Sequence, residues 1–98
     1  MKGIIYGKTF KSAEQKMSDV LDEYERAKIP VATLQHTSGQ ETVIFENGDY
    51  WLAIGASDKC RGKACNIAYI DKDIDSDIIS CVIMPTIKAA PFQGWKFY

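Results

Sequence analysis

Residues 66–77, NIAYIDKDIDSD, hold the densest run of groups able to do chemistry. A mostly apolar run ends in Asp71, the pattern of a buried strand that delivers a carboxylate to its tip. A carboxylate there can hold a hard cation such as magnesium, and a second acidic residue beside it would activate water. The next residue, however, is Lys72, which cannot serve as that second carboxylate. Asp71, Asp73, Asp75 and Asp77 alternate, as do the first ligands of a calcium loop of the helix-loop-helix type. The sixth position would then be Ser76 rather than glycine and the twelfth Val82 rather than glutamate. Two readings stay open: a weak site for a hard cation on these four aspartates, and a solvated acidic turn between buried elements.

The basic groups gather elsewhere. Lys59, Arg61 and Lys63 share the loop DKCRGKAC, and Lys8 and Lys11 follow the first apolar run. If both segments leave the carboxyl ends of neighbouring strands they share one edge of the sheet, the edge at which α/β folds hold ligands. Lysine and arginine there would meet phosphates, with Tyr50 or Trp51 available for stacking on a base. The plainer alternative makes the charges solubilising and the aromatics core. Cys60 and Cys65 lie near basic residues that would favour a thiolate. The single histidine, His36, is distant in sequence, so no activated nucleophile is expected.

These groups need a scaffold. With 98 residues, 46% hydrophobic and 26% charged, the chain is expected to form one globular domain over 1–98. A net charge of −1 gives no overall attraction to nucleic acid, so such binding would rest on a local patch. Three cysteines argue against a disulfide framework and for reduced thiols, and a zinc knuckle lacks ligands at the usual spacing. The longest apolar runs are too short to span a bilayer, and no signal-peptide pattern follows Met1. The expected location is cytoplasmic.

GIIYG reads as a strand. Ser12 with Gln15 gives a capping-box pattern, and Ala13, Met17, Val20, Leu21, Tyr24 and Ala27 form one apolar stripe, predicting a helix over about 12–28 that Pro30 closes. PVATL predicts a second strand parallel to the first through a crossover. Residues 41–56 predict a β-hairpin on a two-residue Asn47-Gly48 turn, with Val43, Phe45, Trp51 and Ala53 on one side and Glu46, Asp49 and Tyr50 outward or edgewise. NIAYID and IISCVIM each predict a buried strand. The expected fold is therefore α/β: a mixed sheet of about five or six strands with one main helix. Residues 85–98, with two prolines and four aromatics, are expected to be an irregular tail. Phe92, Trp95, Phe97 and Tyr98 there either cover the sheet or form an interface.

The order of these pieces resembles the ATPase core of large phage terminase subunits and related helicase-type motors. IIYGKTFKSAEQKM is similar to the strand, turn and helix that follow the nucleotide-binding segment in those motors. VIFENGDYWLAIGASDKCRG is similar to their hairpin and Arg-Gly loop, and CNIAYID to the buried strand with its terminal aspartate. Together the three span about residues 3–73. The resemblance implies a glycine-rich phosphate loop, but the first glycine of that motif would have to fall at Lys2, five positions before Gly7. With that loop and the acidic residue after Asp71 both missing, no ATP hydrolysis and no cofactor are expected. The implied function is a non-catalytic, phage-related binding module that contacts nucleic acid through its basic loop. The alternative is a protein-interaction or inhibitor module that self-associates or binds a larger protein.

Overall fold

The computed structural model describes residues 1–37, 39–56, 65–87 and 94–98. Six strands form one sheet: β1 (Lys2–Gly7), β2 (Val31–Thr37), β3 (Gln40–Phe45), β4 (Tyr50–Gly55), β5 (Ile67–Ile70) and β6 (Gly94–Phe97). Their spatial order is β2-β3-β4-β1-β5-β6. β1 pairs in parallel with both β4 and β5, and β5 pairs in parallel with β6. β3 is antiparallel to both of its neighbours, so it alone runs against the other described strands. The first two strands do point the same way, as a crossover requires, but β3 and β4 lie between them.

The central strand is buried from Gly3 to Gly7, so its side chains feed two cores by alternation. Ile5 faces one core with Val43, Phe45, Trp51 and Ala53, covered by Ala13, Met17 and Val20 of helix α1 (Phe10–Arg26). The four hairpin residues expected to share a side do so. Ile4 and Tyr6 face the other core with Leu52, Ile54, Ala68 and Ile70. That second core is closed by a helical run over 76–87, made of α2 (Ser76–Ile78), a π-helical stretch (Ile79–Ile83) and α3 (Met84–Ile87). Ile74, Val82 and Ile83 pack there, with Ile78 and Ile79 partly buried beside them.

Four local expectations change. IISCVIM is helical rather than a strand. Its Ile74-Ile78-Val82 and Ile79-Ile83 spacings of four suit a helix face, and Asp75 caps the run by accepting from the Asp77 amide at 2.9 Å. The wide π turn ends two residues before Pro85, which lacks an amide hydrogen and crowds the carbonyl one turn back. The stretch expected to be an irregular tail contains α3 and edge strand β6. Helix α1 starts at Phe10 rather than near Ser12, because the Thr9 side chain takes the cap and accepts from the Ser12 amide at 3.2 Å. The hairpin turn is not the two-residue type: the Phe45 amide donates to the Asp49 carbonyl, and Gly48 has positive φ (94°) while Asn47 does not, so the connection is a three-residue loop with glycine at its left-handed position. Asp49 is also drawn inward, accepting from the Tyr24 hydroxyl at 2.6 Å.

The far end of α1 closes with two crossed bonds, Ile29 amide to Tyr24 carbonyl and Lys28 amide to Glu25 carbonyl, each 2.9 Å. This double closure puts Lys28 in the left-handed region (φ 60°), where a side chain is strained. Lys28→Gly is therefore expected to stabilise the protein by about 0.5–1 kcal/mol, the strain removed less the added freedom of the unfolded chain. Chemical denaturation of the two proteins, with unchanged m-values, is the measurement.

Candidate functional site

The carboxyl end of the central strands carries the site. β1 and β5 pair in register from Gly3↔Ile67 to Tyr6↔Ile70, so Gly7 and Asp71 emerge side by side. Gly7 lets α1 begin immediately above the sheet: a Cβ there would lie 2.4 Å from the Thr9 carbonyl and 2.5 Å from the Ala13 amide nitrogen. The N-terminus of α1 is thereby brought against the tip of β5.

Asp71 is 94% buried, its exposure only 6%. Its Oδ2 accepts from the Lys8 amide (2.9 Å) and the Ser12 hydroxyl (2.6 Å), and its Oδ1 accepts from the Asp73 amide (2.9 Å). Burial alone would raise this carboxyl. The bonds from Ser12, Lys8 and Asp73, together with the Lys8 charge, outweigh it and hold the group below the usual carboxylate range. Asp71 is thus an ionised anion seated at a helix N-terminus, where amide hydrogens and the helix dipole favour negative charge.

Tyr98 closes the same corner. Its hydroxyl donates to the Tyr6 carbonyl at 2.9 Å, and its carbonyl accepts from the Lys72 amide at 2.9 Å. Burial raises this phenol first; contact with Ser12 works the other way and the Asp71 charge adds to the rise, leaving it pushed up to about 12. Between α1 and this corner lies an open cleft of about 420 Å³, lined by Gln15, Lys16, Lys72 and Asp73 beside Asp71 and Tyr98.

The other expected site residues are dispersed. Asp73, Asp75 and Asp77 are exposed, and with Asp75 capping α2 the four aspartates do not converge on a common point among the described residues. Lys8 and Lys11 are exposed at the carboxyl end of β1. Lys59, Arg61 and Lys63, and Phe92 as well, lie outside the described residues. The loop that carries the three cations nevertheless starts where expected: Gly55 pairs with Gly7, and the Ala56 amide donates to the Gly7 carbonyl at 2.7 Å. Trp95 and Phe97 are 45% and 55% exposed on β6, whereas Tyr98 folds back. Trp51 is buried and Tyr50 partly so, which leaves Trp51 to the core rather than to stacking. Cys65 departs from expectation, since burial pushes its thiol up to about 11 against a smaller pull from Lys2.

The sequence reading missed Ser12 and Tyr98 as partners of this corner. Ser12 was visible as a polar residue in the first turn of a helix, but its link to Asp71 crosses 59 positions and follows only from strand order.

Because the Asp71 carboxyl is depressed, its stabilising contribution is complete above the unfolded value near 4 and is lost as pH falls through the folded value. Asp71→Asn is expected to cost about 2–3 kcal/mol at neutral pH and to flatten the stability profile below about pH 4. Urea denaturation across the acid range measures both effects.

No family model and no curated protein matches the chain. Among solved structures, its fold is similar to the large terminase from a thermophilic bacteriophage, with a TM-score of 0.72 at 11% identity. The likeness covers 98% of this chain and 25% of the terminase chain. At that identity the likeness is one of fold: this α/β sheet is similar to a segment of the terminase that makes up about a quarter of its chain.

Proposed function

We propose that this chain is a non-catalytic, phage-related binding module that contacts nucleic acid at the carboxyl edge of its central strands. The observation that carries the reading is the parallel Gly7↔Gly55 register, which starts the Lys8–Lys11 segment and the loop bearing Lys59, Arg61 and Lys63 at adjacent points. Five cations leaving one edge would make a local phosphate-binding patch on a chain whose net charge is only −1. The non-catalytic part of the proposal rests on how the α1 N-terminus is filled. The Lys8 amide donates to Asp71 and the Ser12 amide to Thr9, so two backbone donors near the start of α1 that could face a phosphate are engaged from within.

A second reading has its own observation. Trp95 and Phe97 stand exposed on edge strand β6, the composition and backbone of a protein contact. In that reading the chain self-associates or docks on a larger protein through β6.

Fluorescence anisotropy with short single- and double-stranded DNA and RNA at low salt separates the two. The expected result is salt-sensitive binding, and Lys8→Ala with Lys11→Ala should shallow the log–log salt slope by about 0.7–0.9 for each phosphate contact removed. Lys59→Ala, Arg61→Ala and Lys63→Ala together should abolish binding. Absence of binding by the unaltered protein would sink the nucleic-acid reading. A concentration-dependent dimer that Trp95→Ser and Phe97→Ser dissolve would establish the second.

A further inference from the structure

Away from the Asp71 corner, three side chains from three elements meet above the sheet. His36 of β2 and Glu41 of β3 are direct partners across the hairpin, and their Nδ1 and Oε2 atoms lie 3.4 Å apart. Glu14 reaches them from α1, with its Oε2 at 4.0 Å from the same Nδ1. One ligand atom from each of the three lies within 4.8 Å of the others. Phe10, one turn before Glu14, packs edge-on against the imidazole with centroids 5.4 Å apart and planes at 83°, which restrains the ring while Nδ1 faces the carboxylates.

We infer that Glu14, His36 and Glu41 form a binding site for one divalent transition-metal ion of the zinc class, with His36 Nδ1 and one oxygen from each glutamate as ligands. Metal–ligand bonds of about 2.0–2.1 Å in a tetrahedron set ligand atoms about 3.4 Å apart. The His36–Glu41 pair already stands at that spacing, and Glu14 closes the remainder by side-chain rotation. The donor set suits the ion: an imidazole with two carboxylates selects zinc-like metals over magnesium or calcium, which favour all-oxygen shells. Two neighbouring carboxylates and a neutral imidazole carry a charge of −2, which a divalent cation neutralises. Glu41 is largely buried, while His36 and Glu14 are about half exposed, so the fourth position opens to water. Three protein ligands plus water is the open type of zinc site. Bound metal would fasten β2, a strand exposed along all seven residues, to the helix that covers its neighbours.

His36 is the only histidine in the chain, so its ring nitrogens give unambiguous nuclear magnetic resonance signals. Titration of the full chain with zinc in a non-chelating buffer is expected to saturate at one equivalent, shifting the Nδ1 resonance and leaving the proton on Nε2. In calorimetry, His36→Ala, Glu14→Gln and Glu41→Gln should each weaken zinc by at least about tenfold. The combined Cys60→Ala, Cys65→Ala and Cys81→Ala protein should bind as the unaltered one does. An imidazole signal unmoved by about tenfold excess zinc would overturn the inference. So would binding that survives His36→Ala undiminished or disappears with the cysteines.

Discussion

The whole carboxyl end of the sheet is organised around one buried anion. Asp71 ties the tip of β5 to the first turn of α1 by taking hydrogen bonds from the Lys8 amide and the Ser12 hydroxyl. A buried carboxylate without such partners would be strongly unfavourable, whereas α1 takes its own cap from Thr9, which accepts from the Ser12 amide. The contact also fixes where Gly7, Lys8 and Thr9 turn, and through the Ser12 contact and the Lys72 amide it sets the position of Tyr98. The carboxylate is thus held by the protein's own backbone and side-chain donors.

The fold was legible where periodicity was unambiguous. α1 announced itself through Ala13, Met17 and Val20, and the hairpin through Val43, Phe45, Trp51 and Ala53 alternating about Asn47-Gly48. The pairing of His36 with Glu41 was not read, because the second strand was expected to end near Leu34 and to pair with the first strand, and nothing in the sequence placed Glu14 beside them. The run from Ile78 to Met84 misled because β-branched residues favour strands, while the spacing of Ile74, Ile78 and Val82 favoured a helix. The cap at Asp75 was the deciding signal, and it lay inside an aspartate series whose alternation suggested a cation loop instead. Ser12 was read as a helix-start residue and Tyr98 as one that could cover the sheet, but that both meet at Asp71 could not be read, because it depends on which strands are neighbours.

The sheet is asymmetric in a way that bears on function. Its centre, β1 with β4 and β5, is buried on both faces and parallel, so the polar ends of those strands collect on one edge. Its two flanks differ. β2 is exposed along its length and pairs antiparallel with the next strand, β3, whereas β6 reaches its place only after the 76–87 helical run crosses the opposite face. The proposed nucleic-acid contact belongs to the carboxyl edge, the exposed aromatics to the β6 flank, and the three-residue metal cluster to the β2 side. These surfaces do not compete for the same residues.

The pairing of β1 governs how the chain must assemble. Its first strand pairs with Tyr50–Gly55 and Ile67–Ile70, so the middle of the sheet waits for segments roughly half to two thirds of the chain away. The β2-β3-β4 meander, joined by short turns, has no such delay and closes over small loops. Loop-closure entropy thus favours the meander as the starting point of assembly over the pairing of β1 between β4 and β5. Both cores draw residues from β1, so each is complete only once these long closures are made.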